Sequence, residues 1–330
     1  MKVLRHQKFD VAVSQLSRAL DQRRVGGAIF LVGPSGVGKT TLRHSVLRDV
    51  YGGPLQWPAG MVPVIETIAT LPTNSFFNSR ALATELAFQL DRPGLPWIEP
   101  SARDDHLTAF FASMDETSEE LFSASAKRVR TTEAEQWRIL ERYIKARGCL
   151  VVSIDQATAF LKNRRSKDPT DHMLHLMTFA EKAGITLLLT GVPDVIRLWD
   201  IHPELRRRVD VVWMPPYSEK AEGDRARFAK LLSSFQRKYP SITTGLLHSM
   251  DVELLAACGG VYAELEQLLI RAVNHAADND RAAVSKRDIH ESFHSQEDLE
   301  ALWRDVHRFH RCMSSGSLKS RVAEIGRVWT

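Results

Sequence analysis

Cysteine is scarce in this chain: Cys149, Cys258 and Cys312 are the only 3 among 330 residues. Their wide spacing and odd number exclude a disulfide framework and a thiolate metal cluster, leaving isolated thiols in a reducing compartment. Long apolar runs are missing too. The longest, around Ala28 to Val32, Cys149 to Val152 and Ile185 to Leu189, have strand length and fall far short of the ~18 residues a bilayer crossing needs. The start, Met1 to Lys8, is basic with no apolar stretch behind it, so no signal peptide is expected, and the expected setting is the cytoplasm without a membrane partner. No internal repeat occurs. At 44% hydrophobic and 25% charged residues, collagenous, low-complexity and wholly disordered chains are excluded. Charge of one sign is also lacking: 44 Lys and Arg against 40 Asp and Glu leave a net +4. That mild bias permits a polyanionic partner without demanding one.

What is present is length and pattern. The chain is about twice a typical ~150-residue domain. Its apolar runs are continuous rather than alternating, as in strands buried on both faces of a parallel sheet. Strands are expected at Ala28 to Val32, Met61 to Ile68, Cys149 to Ile154, Ile185 to Thr190 and Val209 to Met214. Helices are expected between them at Lys39 to Val50, Ser79 to Leu90, Thr132 to Arg147 and Leu174 to Ala183. An opening helix, Asp10 to Arg23, would set Val11, Leu16 and Leu20 on one face. Five strands with helical crossovers predict a right-handed, three-layer α/β sandwich. After Pro216 every periodic segment is helical. The expected organisation is a core over 1–217 with an acidic insertion at about 94–131, a helical lid over 218–285, and a C-terminal helix and tail over 286–330. Met313 to Ser317 reads as a flexible joint.

The strongest motif is Gly33-Pro34-Ser35-Gly36-Val37-Gly38-Lys39-Thr40, a full GxxxxGK[ST] between a strand and a helix. Glycines let successive backbone N–H groups curl around phosphates, Lys39 reaches the β- and γ-phosphates, and the Thr40 hydroxyl ligates Mg²⁺. Thr41 continues the phosphate-binding run. A second metal-holding carboxylate is required, and Asp155 closes a buried strand at the right place. Gln156 follows where many such ATPases have the glutamate that polarises water. Glutamine cannot take a proton, although it can orient water, so slow hydrolysis is expected. Glu66 is the one nearby substitute carboxylate, or else a surface charge. Thr190 could hold the water or the γ-phosphate, or simply end a strand. Arg206, Arg207 and Arg208 form a basic cluster that is ordinarily a solvated helix end.

Together with Thr186-Leu-Leu-Leu-Thr-Gly-Val-Pro-Asp-Val-Ile-Arg-Leu, Glu204-Leu-Arg-Arg-Arg-Val and the helical region, these residues resemble AAA+ ATPases. More narrowly they resemble the TniB/TnsC regulators of transposition, including those of Tn-seven-like and CRISPR-associated transposons, over Phe9 to Asn279. The resemblance implies a P-loop NTPase (AAA+) three-layer sandwich with a helical lid, and ATP and Mg²⁺ as cofactors. It also implies homo-oligomeric rings or helical filaments on double-stranded DNA, with a TniQ-type target selector and a transposase as partners. In such an assembly one of Arg206, Arg207 and Arg208 would reach a neighbour's γ-phosphate. Gln156 departs from the family pattern, and Gly259 to Glu264 has no arginine where many relatives place a second sensor.

DNA contact needs its own residues, because fold does not specify a polymer. Lys162, Arg164, Arg165 and Lys167 form the densest basic run. Alone it reads as a solvated loop; with the resemblance it reads as phosphate tracking without base readout. Two other readings stand beside the transposition regulator. One is an initiator-type ATPase, such as a helicase loader or origin-recognition relative, against which the short stretch after Ser285 counts. The other is a slowly hydrolysing ATP switch that scaffolds and touches no DNA.

Overall fold

The computed structural model describes residues 7–69, 76–97, 132–162, 168–200 and 202–315. Most of the expected acidic insertion (98–131), Arg164, Arg165 and Lys167, and the tail from Gly316 lie outside the described residues.

Strands β1 (Ala28–Val32), β2 (Val64–Ile68), β3 (Val151–Asp155), β4 (Thr186–Gly191) and β5 (Val209–Trp213) form one parallel sheet in the order β2-β3-β4-β1-β5. Every residue of β1 and β4 is buried. Both faces of the sheet are therefore covered, which is why the sequence reads as unbroken apolar runs. Around the strands run helices α1 (Gln7–Asp21), α2 (Lys39–Tyr51), α3 (Ser79–Asp91), α4 (Glu133–Ala146), α5 (Pro169–Ala183) and α6 (Pro203–Arg207). Local chemistry sets their ends. Thr132 Oγ1 accepts from the Glu135 amide while the Glu135 carboxylate accepts from the Thr132 amide, a capping box that starts α4. Register pairs Val32 with Gly191, Ile154 with Leu189 and Ile68 with Asp155. Asp155 and Thr190 each stand one residue beyond the Ile154–Leu189 pair. They share the carboxyl edge of the sheet, where parallel α/β proteins bind ligands.

Several boundaries differ from the sequence reading. β2 begins at Val64, not Met61, because Pro63 has no amide and the Val62 N–H is spent on the Arg147 carbonyl at 2.8 Å. In α1, Phe9, Leu16 and Leu20 are buried while Val11 is 52% exposed. At 100° per residue Val11 stands about 140° away from Leu16, so the buried stripe is Phe9, Ala12, Leu16 and Leu20. The expected joint at Met313 is helix as far as Ser315, with Ser314 Oγ donating to the His310 carbonyl at 2.7 Å.

Beyond the sheet come α7 (Asp224–Lys238), α8 (Leu246–Ser249), α9 (Asp251–Cys258), α10 (Tyr262–Asp278), α11 (Lys286–Glu291) and α12 (Gln296–Ser315); α6, α8 and α11 were too short for a periodic signal. The chain divides into two compact units: Val13–Val32 with Thr40–Val212, and Met1–Ala12 with Gly33–Lys39 and Trp213–Thr330. The second of these units has its longest stretch from Trp213 onward and takes in the glycine loop. Its core gathers Phe228, Leu232, Phe235, Leu254, Leu265 and Leu269, the apolar stripes of α7, α9 and α10. Burial pushes the Cys149 and Cys258 thiols up to about 12, so neither is a nucleophile at neutral pH.

Asp288 locks α11 into this unit. Burial alone would raise its carboxyl, but donors from Ser285 Oγ (2.6 Å), the Ser285 amide (2.8 Å), His275 Nδ1 (2.8 Å) and Arg281 Nη2 (2.5 Å) hold it down at about 2, from 3.8. A lowered carboxyl contributes stability above its unfolded value and loses it as pH falls through the folded one. The stability gap between wild type and Asp288→Asn is thus expected to be widest above pH 3.8 and to close toward pH 2. Urea unfolding followed by circular dichroism checks this; a gap independent of pH would contradict it.

Candidate functional site

The loop after β1 is shaped by its glycines. A Cβ on Gly33 would meet the Met214 carbonyl oxygen at 2.7 Å, and Gly36 adopts φ +74 with the Ala263 Cβ 2.9 Å from where its own would be. Only glycine tolerates both demands. The Gly36 carbonyl accepts the Ala263 amide at 3.0 Å, which anchors the loop to the start of α10. Pro34 and Val37 are buried, Gly38 is partly so, and Ser35 faces solvent. Lys39 folds back over the loop, its Nζ donating to the carbonyls of Gly33 at 2.9 Å and Pro34 at 2.7 Å. A curled main chain beside an ammonium has the chemistry to cradle a phosphate.

In the sheet unit, Thr40 and Asp155 are brought together: Thr40 Oγ1 donates to Asp155 Oδ2 at 3.0 Å across 115 residues of sequence. Asp155 Oδ1 accepts the Gln156 amide at 2.7 Å. Two hard oxygens on adjoining elements fit Mg²⁺, which takes one or two protein oxygens and completes its shell with phosphate and water. Among the described residues no group of three His, Cys, Asp or Glu side chains forms a metal cage without phosphate.

Beneath this pair lies a cation that the sequence reading missed. The Arg43 side chain is 1% exposed. Its Nη2 donates to Glu66 Oε1 at 2.5 Å, and its Nη1 stands 3.3 Å from Asp155 Oδ2, outside hydrogen-bond geometry. His44 Nε2 also meets Glu66 Oε1, at 2.6 Å. Glu66 is therefore no surface charge: it is 8% exposed, its Oε1 is engaged by two nitrogens, and its Oε2 is buried without a hydrogen-bond partner among the described residues. A signal existed in the sequence. Arg43 falls inside the buried stripe of Leu42, Val46 and Leu47, and a cation there must find a buried anion.

Gln156 is exposed and left-handed, with φ +54, one of two non-glycine residues with positive φ among those described. Its backbone ends β3 and caps the 3-10 turn Ala157–Leu161. Thr190 is fully buried, and its Oγ1 has no hydrogen-bond partner among the described residues. Arg206 and Arg207 are exposed on α6, whereas Arg208 Nη1 is held by Glu181 at 2.7 Å. Lys162 is exposed at the end of the 3-10 turn, and Thr41 is exposed on α2.

A family model described as AAA domain matches residues 22–198, more than half of the chain. No curated protein matches the sequence. Solved structures similar to it include the Aeropyrum pernix ORC1 protein in complex with DNA, at TM-score 0.57 and 13% identity over 88% of this chain and 65% of that one. Cdc6p from Pyrobaculum aerophilum gives 0.58 and 15% over 88% and 68%. A Walker-type ATPase of Pyrococcus abyssi gives 0.53 and 15% over 93% and 79%. At such identities the likeness is one of fold, a P-loop AAA+ fold with a five-stranded parallel sheet. The chain spans just under two thirds of the ORC1 chain, 65% of it.

The left-handed backbone at Gln156 makes a stability prediction. Gln156→Val should cost about 1–3 kcal/mol, because a β-branched residue is strained there, while Gln156→Gly should hold or raise the melting temperature. Equal melting temperatures for the two variants in a thermal scan would contradict the strain.

Proposed function

The chain belongs to the AAA domain family, and from this we propose that it is a slow, magnesium-dependent ATPase whose ATP-bound form assembles on duplex DNA. The observation that carries the reading is the Thr40–Asp155 pair, held at 3.0 Å at the start of the helix that begins with Lys39. Backbone amides of Gly33 to Lys39 and the side chain of Lys39 hold the phosphates, Thr40 and Asp155 hold the metal, and Thr41 extends the phosphate contacts. When bound, Mg²⁺ would neutralise charge that builds on the phosphates. Gln156 orients the attacking water but cannot accept its proton, which keeps turnover slow. The orphaned Thr190 hydroxyl on the same sheet edge supports a role in holding that water or the γ-phosphate. Arg208 is engaged within its own chain, so Arg206 or Arg207 is the arginine that reaches a neighbouring subunit.

Lys162, with Arg164, Arg165 and Lys167, contacts DNA phosphates. A solved structure of similar fold is described as a complex with DNA, which supports this class of partner. The finer reading is a transposition regulator linking a TniQ-type target selector to a transposase; it rests on the resemblance through Thr190 to Pro193 and Pro203 to Arg208. The fold likeness to ORC1 and Cdc6p favours a second reading, an initiator-type ATPase.

Lys39→Ala should abolish ATP binding in calorimetry, and Gln156→Glu should raise steady-state phosphate release by about tenfold or more; an unchanged or lower rate would count against the water-orienting role. With a non-hydrolysable ATP analogue, negative-stain microscopy should show protein coats that lengthen with the duplex. Single particles whose size ignores duplex length would favour the initiator reading, and no DNA-bound particles at all would sink both.

A further inference from the structure

A guanidinium with almost no access to water stands between two carboxylates, and it is not shared equally. Arg43 approaches Glu66 to 2.5 Å in hydrogen-bond geometry but stays 3.3 Å from Asp155 Oδ2 without one. That same Asp155 oxygen accepts from Thr40. A full positive charge beside a metal-holding carboxylate competes with a divalent cation for the same electrons, and the competition is strong where water is excluded. Glu66 draws the charge away.

We propose that Arg43 and Glu66 together set the magnesium affinity of this chain: Arg43 acts as a resident cation that competes for Asp155, and Glu66 weakens that competition by taking the guanidinium as its own partner. This rests on the assignment of Thr40 and Asp155 to Mg²⁺ with ATP. Both residues are positioning residues, acting on the metal only through Asp155. Glu66 thereby acts through Oε1 as a charge compensator. Removing it while keeping Arg43 leaves the guanidinium only one carboxylate, Asp155. Removing both leaves Asp155 without a competitor, and apolar replacements of similar volume preserve the packing that a lone buried charge would disturb.

The test is a magnesium titration of the full-length chain with a fluorescent methylanthraniloyl ATP analogue, read as the magnesium concentration at half-maximal binding. Glu66→Gln should raise that midpoint at least about tenfold over wild type. The double variant Arg43→Met with Glu66→Leu should lower it several-fold below wild type. A purely structural role predicts that both variants need more magnesium, and that result overturns the proposal. An unchanged midpoint in a folded Glu66→Gln protein also overturns it. If Glu66→Gln does not fold, as circular dichroism would reveal, the double variant decides alone: a midpoint at or above wild type is fatal. A wild type whose nucleotide binding ignores magnesium would remove the metal assignment and this inference together, whereas a magnesium-dependent wild type with the wrong variant order removes only the inference.

Discussion

A buried guanidinium has to be paired, and the pairing of Arg43 organises the sheet end on which the proposed metal assignment depends. Taking such a charge from water costs several kcal/mol, which only close, well-aimed anions offset. Glu66 supplies a hydrogen-bonded anion from β2 and Asp155 a second carboxylate 3.3 Å away on β3, while Arg43 itself sits on α2. One charge therefore ties three elements that are far apart in sequence. It fixes the helix carrying Thr40 relative to the strand carrying Asp155, so their 3.0 Å contact does not rest on a single exposed hydrogen bond.

The same sheet edge holds the two oddities of the site. Gln156 takes a backbone conformation that most side chains avoid, in the residue directly after Asp155. Strain of this kind persists only where the surroundings dictate it, and here the amide of Gln156 donates back to Asp155. Thr190, level with Asp155 by register, keeps a buried hydroxyl without a partner among the described residues. Orphaned groups of this type cost about 1–3 kcal/mol. A site that binds a charged, oxygen-rich ligand gives both features a purpose that folding alone does not.

Much of this was legible in the sequence for identifiable reasons. β1 and the glycine loop were plain because a continuous apolar run and a glycine-spaced turn each have a local physical cause, and Asp155 because an acid ends a buried run. Element ends were blurred where tertiary hydrogen bonds decide them: Val62 gives its amide to Arg147, a partner no local pattern names. Val11 misled because three apolar residues were grouped without keeping the 100° step. The surface-charge alternative for Glu66 failed because its burial depends on Arg43, 23 residues earlier on another element. Pairwise electrostatics of that kind leave no periodicity. A cation inside an apolar helical stripe is the one trace they leave, and it is worth searching for.

The central claim is that Thr40 and Asp155 form a metal site completed by nucleotide phosphate. Electron paramagnetic resonance with Mn²⁺ in place of Mg²⁺ tests it most directly, because the sharp signal of free Mn²⁺ is lost when the ion is bound. Because ATP alone also binds Mn²⁺, the reference is a protein-free mixture of Mn²⁺ and ATP: the account predicts that wild-type protein lowers the free signal further than that mixture does, and that Asp155→Asn does not. Binding of Mn²⁺ without ATP, or undiminished binding in Asp155→Asn, would contradict it.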